Sequence, residues 1–394
     1  MKILQINSVY KVGSTGRIVE SLHNYFLNCG EQSYVIYGRG KCYKNDKNVF
    51  KLSGEFFNKI NALRARITGM LYSGNFIATK KIIRKIEKIR PDIVHIHNLN
   101  DNFVNVYKLL KFLAIKGYKV VMTLHSEQMY TGTCGYALGC EKWASGGCKN
   151  CPHLYLSTKS YIDNTKKAFN KLFKVYSLFN SNNIKVIGCT PWLTKRAQRS
   201  ILLNRFDNQS IINGSSTDDF SILDNVQKEE KSVLFINPRI DDPVKGHQFL
   251  SGLVKVMPEY KFTVVGPYTN KTKRVDGVLY TGRITDKKKL VEYYNKANVT
   301  LMMSENECFP MTIIESLLCG TKVCLFKCFG PDECYDSEYV KFSKYSDIHE
   351  LAQNIKLVKN YDNSIVRKYA IKSLSERRMA SDYLKLYKSI FESN

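Results

Sequence analysis

No stretch of about 18 uncharged apolar residues occurs in the chain, so nothing in the sequence reads as a membrane span. The opening run MKILQINSVY is too short to be a secretory signal and leads into what reads as a first strand. Low-complexity and Gly/Ser-rich tracts are missing as well, which argues against long disordered linkers. Acidic residues are scarce: 35 Asp and Glu face 60 Lys and Arg, a formal charge of +25. Such a surface seeks polyanions, whether nucleic acid, anionic lipid headgroups or phosphorylated substrates, and charge alone does not choose among them. Cysteine, by contrast, is plentiful, with twelve residues. The expected location is the cytoplasm, where a disulfide framework is disfavoured and buried thiols or a metal site are left.

At 394 residues the chain exceeds one ordinary core, and two domains of roughly 200 residues each are expected. Strand-like runs alternate with helical periodicity through both halves, which predicts two doubly wound parallel α/β domains with ligand sites at the strand carboxyl edges. The organising stretch runs from Val299 to Cys324. It reads as a buried strand (299–303), a loop with Glu305 and Glu307, and a helix from about Pro310 that carries Glu315. Proline suits a first helical position. The exposed amides and dipole of that helix start favour an anionic group such as a diphosphate. Glu315 is then placed to accept from ribose hydroxyls, and Glu307 to face a second polyol.

The string ECFPMTIIESLLCGTKV, with seven residues between Glu307 and Glu315, resembles the E-x7-E signature of glycosyltransferase family 4, the retaining nucleotide-sugar transferases with the GT-B fold. The resemblance implies two Rossmann-like domains facing across a cleft. In the loop NPRIDDPVKGHQFL, Arg239 and Lys245-Gly246 match the family's Arg and Lys-Gly pair. Two such cations beside the helix start would neutralise a leaving diphosphate, arginine as a bidentate fork and lysine as a point charge. The resemblance therefore implies donor contacts at Arg239, Lys245, Glu307, Phe309, Pro310, Met311, Thr312 and Glu315, with weaker candidates for the base at Arg283 and Ile284. No D-x-D motif is placed to carry a catalytic metal, since Asp241 and Asp242 are adjacent and precede proline, so no cofactor is expected for catalysis.

In the first half, Gly13 and Gly16 sit where a first strand passes into a helix, without a full G-x-G-x-x-G fingerprint. GSTGRIVESL resembles the family's N-terminal glycine loop, which approaches the donor sugar and diphosphate. PDIVHIHNLN ends a strand on His95, His97 and Asn98; the resemblance places His97 and Asn98 beside the acceptor, although a strand-end histidine pair also suits a hydrogen-bonded core. YKVVMTLHSEQMY repeats the pattern with Thr123 and His125, and the resemblance sets His125 beside the donor sugar as a catalytic-site residue. Cys134, Cys140, Cys148 and Cys151 are separated by five, seven and two residues. Four thiolates of this kind can wrap a structural Zn²⁺, and free thiols or a redox pair are the alternatives. The segment resembles an insertion in a branch of family 4 serving bacterial polysaccharide assembly.

Two basic segments between residues 55 and 90 have helical apolar spacing: Phe56, Phe57, Ile60, Leu63, Ile67, Met70 and Leu71 in one, Ile82, Ile83, Ile86 and Ile89 in the other. The expected reading is helices packed on their own core, with docking on an anionic membrane surface as the alternative. The expected domains are 1–215 with the cysteine-rich insertion at 131–153, 216–375, and a final helix over 376–394 packing back on the first. Together these readings imply a retaining, metal-independent hexosyltransferase. Its donor is a UDP- or GDP-sugar, and its acceptor a glycan or an undecaprenyl-diphosphate-linked sugar in capsule, exopolysaccharide or O-antigen assembly. The enzyme is cytoplasmic or peripheral on the inner membrane face, with no nucleic-acid partner. The competing readings are another GT-B sugar-nucleotide enzyme, an epimerase or phosphorylase, and a basic zinc-containing nucleic-acid-binding protein.

Overall fold

The computed structural model describes residues 1–155, 159–328, 330, 332–336, 338–358 and 361–392. It divides into two units, residues 1–212 with 379–394, and residues 213–378. These boundaries lie three residues from the expected ones at 215 and 375.

The first unit contains β1 (Lys2–Val9), α1 (Gly13–Asn28), β2 (Gln32–Arg39), β3 (Val49–Lys51), α2 (Glu55–Thr68), α3 (Phe76–Ile89), β4 (Ile93–Ile96) and α4 (Val106–Ile115). It continues with β5 (Lys119–Leu124), α5 (Lys142–Ser145), α6 (Thr165–Tyr176), β6 (Ile184–Gly188), α7 (Pro191–Arg199) and β7 (Asp207–Ser210). The strands form one sheet in the order β3-β2-β1-β4-β5-β6-β7, and every pair is parallel. The central strands are buried on both faces, as a parallel sheet covered by helices requires: β4 is fully buried and β1 is exposed only at its ends.

The second unit contains β8 (Glu229–Ile236), α8 (Leu250–Val256), β9 (Lys261–Val265), β10 (Val278–Gly282), α9 (Lys287–Lys296), β11 (Ala297–Met302), α10 (Met311–Leu318), β12 (Lys322–Phe326), β13 (Val340–Ser343), α11 (Ile348–Leu357) and α12 (Asn363–Leu374). Its sheet has the order β10-β9-β8-β11-β12-β13, again all parallel. Val233, Phe235, Val264, Val299, Leu301 and Cys324 from the strands pack with Leu250, Leu253, Leu351 and Ile355 from the helices.

Helices start where short polar side chains cap the first turn. Thr190 accepts from the Leu193 amide ahead of Pro191, and Asp286, Asp347 and Asp362 cap α9, α11 and α12 in the same way. Two expected starts move. Helix α1 begins at Gly13, so both glycines lie in its first turn and not in a preceding loop. Helix α10 begins at Met311, with Pro310 as its extended N-cap residue. Helix α13 (Glu376–Glu392) buries the expected stripe of Met379, Tyr383, Leu386, Tyr387 and Ile390, and residues 379–392 belong to the first unit. Among the described residues, no helix is long and apolar enough to cross a membrane.

The two basic segments part company. Helix α3 buries Ile82, Ile86 and Ile89 as expected. Helix α2 buries only Asn58 and Ala65, while Phe56, Phe57, Ile60, Leu63 and Ile67 are exposed. The core reading is therefore wrong for α2, because polar contacts hold its inner face.

A buried ion pair anchors the cysteine-bearing segment. Glu127 Oε1 accepts from Arg196 Nε at 2.7 Å and from the Tyr130 hydroxyl at 2.8 Å, and its Oε2 accepts from the Ala137 amide at 2.6 Å. The Arg196 guanidinium lies 4.4 Å from the Trp143 ring centre and 5.0 Å from that of Trp192. Removing one partner of such a pair leaves an uncompensated buried charge, which costs about 3–5 kcal/mol. Glu127→Ala is expected to lower the unfolding free energy by that amount. Denaturant titrations followed by the fluorescence of Trp143 and Trp192 check it, and a loss below about 1 kcal/mol would show that the pair contributes little.

Candidate functional site

In an open parallel sheet, ligands bind beyond the strand carboxyl ends where the strand order reverses. That point lies between β8 and β11 in the second unit and between β1 and β4 in the first. The expected residues Arg239, Lys245 and Glu307 follow β8 and β11, while Gly13, Gly16, His97 and Asn98 follow β1 and β4.

In the second unit, the loop after β8 is stitched to the loop after β11. The Glu305 amide donates to the Val244 carbonyl at 2.8 Å. Gly246 has φ +81°, and a Cβ there would lie 2.0 Å from the Met303 carbonyl oxygen. Only glycine permits both the left-handed backbone and the approach. This delivers the Lys245 ammonium, 6% exposed, directly onto Glu307 Oε1. Gly330 closes the other side: a Cβ there would lie 1.7 Å from the Glu307 carbonyl oxygen. Arg239 behaves differently. Its guanidinium pairs with Asp242 Oδ2 at 3.2 Å and its side chain is half exposed, while its amide donates to Asn237 Oδ1 at 2.9 Å. Arg239 and Lys245 thus share one ordered loop, and only Lys245 is joined to Glu307.

At the start of α10, Phe309, Pro310 and Met311 are buried and Thr312 is partly exposed. Phe309 stacks on Tyr335 with ring centres 5.8 Å apart. In the first turn of α10 the Ile313 amide donates to the Pro310 carbonyl at 3.2 Å, while the Met311 and Thr312 amides stand at the helix start, where a helix offers donors outward. Glu315 is 3% exposed and its Oε2 accepts from the Tyr294 hydroxyl at 3.0 Å. Tyr294, on α9, is a site residue that the sequence reading missed; the buried spacing Val291, Tyr294, Asn295 is the signal that places it inward. Arg283 is exposed and Ile284 partly exposed, just beyond β10 at the sheet edge.

In the first unit, Gly16 is buried, and a Cβ there would meet Val9 Cγ2 at 3.2 Å. The Asn98 amide donates to Asn7 Oδ1 at 3.1 Å, tying the exits of β1 and β4. Three imidazoles then line the edge. Gln5 Nε2 donates to the Val19 carbonyl, leaving its Oε1 to accept from His97 Nε2 at 3.1 Å. His97 Nδ1 is therefore the acceptor, and His125 Nε2 donates to it at 3.1 Å. This relay leaves the His125 Nδ1 lone pair available. His95 is held by Thr123 at 2.7 Å and by the Tyr387 hydroxyl at 2.5 Å, both contacts being buried.

Burial pushes the His125 imidazole down to about 4 and holds His95 and His97 well below the ordinary histidine range. His125 is thus a neutral hydrogen-bond acceptor at pH 7 and a poor proton acceptor.

Cys134, Cys140, Cys148 and Cys151, whose spacing leaves a structural zinc, free thiols or a redox pair open, form no disulfide. Cys134 hydrogen-bonds Cys151, which raises the first thiol and lowers the second to about 7, and the Gly132 amide donates to Cys148 Sγ at 3.1 Å. Among the described residues, no three His, Cys, Asp or Glu side chains meet in a group able to hold a metal ion.

Residues 230–359 match the family model described as Glycosyl transferases group 1. The two parallel-sheet units have the GT-B fold of solved glycosyltransferases. This GT-B chain is 23% identical over 342 residues to WcaC of Escherichia coli K12, named for colanic acid biosynthesis, with 82% of each protein covered. It resembles sucrose-phosphate synthase of Thermosynechococcus elongatus across 100% of both chains, with a TM-score of 0.67 and 15% identity. It also resembles Anabaena HepE in complex with UDP, with a TM-score of 0.63, 14% identity, and coverage of 99% and 100%.

Two predictions follow from these contacts. Below about pH 6.5 the unfolded chain protonates its histidines, while the folded chain keeps His125 neutral to about pH 4. The unfolded state binds more protons in that window, so stability falls on acidification. His125→Asn is expected to reduce the slope of unfolding free energy against pH by up to ~1.4 kcal/mol per pH unit. An unchanged slope would mean that His125 titrates normally. Tyr294→Phe removes the donor to a buried carboxylate and is expected to lower stability by about 1–3 kcal/mol, read by chemical denaturation.

Proposed function

We propose that the chain is a retaining hexosyltransferase. It moves a sugar from a UDP- or GDP-sugar to a glycan or undecaprenyl-diphosphate-linked acceptor during assembly of a bacterial surface polysaccharide. The observation that carries this reading is the convergence of Lys245, Glu307 and the α10 amides at the switch point of the second sheet. An ammonium and helix amides suit a diphosphate, and carboxylates suit sugar hydroxyls. The polysaccharide context is supported by the similarity to WcaC, and the nucleotide-sugar donor by the HepE complexes with UDP and UDP-glucose.

As the bond between the anomeric carbon and phosphate breaks, negative charge grows on the leaving diphosphate. Lys245 and the α10 amides stabilise it, and Arg239 joins them once it leaves Asp242. Lys245 is already satisfied by Glu307, so an entering diphosphate draws the ammonium toward itself and leaves the Glu307 carboxylate to a polyol. The acceptor hydroxyl attacks from the face the leaving group departs, and the leaving phosphate oxygen takes its proton. Glu315 accepts from the ribose hydroxyls and His125 Nδ1 from a sugar hydroxyl. The charge neutralisation is supplied by the protein's own cations. A structural zinc held by Cys134, Cys140, Cys148 and Cys151 would need those thiols to regroup, and no catalytic step uses it.

The test is thermal stabilisation by UDP, GDP, ADP and their sugars in the wild type and in Glu315→Ala and Lys245→Ala. A ligand present at about 100 times its dissociation constant adds roughly 2.7 kcal/mol. One nucleotide family is expected to raise the melting temperature, with the shift lost in both variants. A shift that persists in both, or none with any nucleotide at millimolar concentration, sinks the proposed donor site.

A further inference from the structure

An amphipathic helix of a folded domain ordinarily turns its apolar stripe inward. Helix α2 does the reverse. Its inner face is polar: Asn58 Nδ2 donates to the Gly38 carbonyl at 3.2 Å and its Oδ1 accepts from Asn75 at 2.9 Å. Asn61 Oδ1 accepts from the Asn75 amide at 3.0 Å, and the Arg64 guanidinium donates to Ser73 Oγ at 3.0 Å. The outward face carries Phe56, Ile60, Leu63 and Ile67, at steps of four, three and four residues, with Phe57 beside them. Phe56 is 71% exposed and Leu63 62%. Past the end of the helix the patch continues, because the Tyr161 amide donates to the Arg66 carbonyl at 2.9 Å and the Tyr161 ring, itself exposed, packs under the Arg66 guanidinium.

The charge around this face is predominantly basic; Glu87 is exposed on α3, and Asp163, two residues from Tyr161, accepts from the Cys151 and Thr165 amides. Lys59 and Arg66 are exposed on α2. Its one acid, Glu55, is engaged by Arg39 at 3.3 Å, Lys51 at 3.2 Å and the Gly40 amide at 2.8 Å. The next helix, α3, starts with exposed Phe76 and Ile77 and carries exposed Lys80, Lys81 and Arg84.

We propose that α2 is a membrane-docking face, its aromatic and aliphatic side chains seated at the headgroup boundary of an anionic phospholipid bilayer and Lys59 and Arg66 on the phosphates. An apolar stripe with basic flanks is the pattern that lies in such an interface. A second copy of the chain is the poorer occupant, since a two-fold contact through α2 sets Lys59 and Arg66 near their own counterparts. The inference stands apart from the donor-site reading, as none of these residues belongs to that site.

The experiment is co-sedimentation of the full chain with vesicles of phosphatidylglycerol and phosphatidylethanolamine, compared with vesicles of phosphatidylcholine alone. Wild type is expected to bind the anionic vesicles selectively. Ile60→Glu/Leu63→Glu is expected to abolish binding, and Lys59→Glu/Arg66→Glu to weaken it at least about tenfold, given roughly fivefold for each basic residue at an anionic surface. Both pairs are exposed, so their melting temperatures and nucleotide-induced shifts are expected to match wild type, which separates this test from that of the donor site. Absence of wild-type binding, or binding that survives Ile60→Glu/Leu63→Glu, overturns the proposal. So does a concentration-dependent dimer in analytical ultracentrifugation that the same pair removes, since α2 would then be a self-association face.

Discussion

A buried ammonium must have a partner, and in the second unit that requirement shapes everything around the switch point. Lys245 is brought inward because Gly246 follows it in a left-handed conformation against the Met303 carbonyl. Glu307 is fixed opposite because Gly330 leaves room beside its carbonyl. Each condition depends on the parallel order β8-β11, which sets both loops at one edge. The pair is held by backbone on both sides, so its geometry is prepared before any ligand arrives, the condition under which fixed charges act most strongly on a leaving group.

How much of this was legible in the sequence follows the range of each contact. Lys245 and Glu307 lie in the loops that follow β8 and β11, and loops after apolar strands can be read locally, which is why both were expected at the sheet edge where they lie. Glu315 was readable too, but its partner Tyr294 lies on the preceding helix and shows only as a buried position. The relay from Gln5 to His97 joins residues 92 positions apart, and the contact from His95 to Tyr387 spans 292. No local pattern announces such pairs. For the cysteines, spacing left zinc, free thiols and a redox pair open, and the fold adds the contact of Cys134 with Cys151.

Helix α2 marks a different limit. Periodicity shows which residues share a face and says nothing about which way that face points. Direction is decided by what the neighbours offer, and beside α2 they offer the Gly38 carbonyl, Ser53, Ser73 and Asn75, all polar. Asn58 and Arg64 meet those groups, and the apolar stripe is left outside. The signal was present in sequence as asparagines on the face opposite the stripe, spaced three residues apart at 58 and 61.

The two sheet edges differ in what they allow to ionise, and this separates their chemistry. In the second unit a buried ammonium faces a carboxylate, so the cation is satisfied by an anion. In the first unit burial holds three imidazoles neutral, and Gln5 orders their protons so that His125 presents a lone pair. Such an edge repels no cation and attracts no anion; it recognises a hydroxyl by accepting its proton in a hydrogen bond. The charged edge of the second unit suits a phosphate, and the neutral edge of the first suits a hydroxyl; each preference is set within its own sheet.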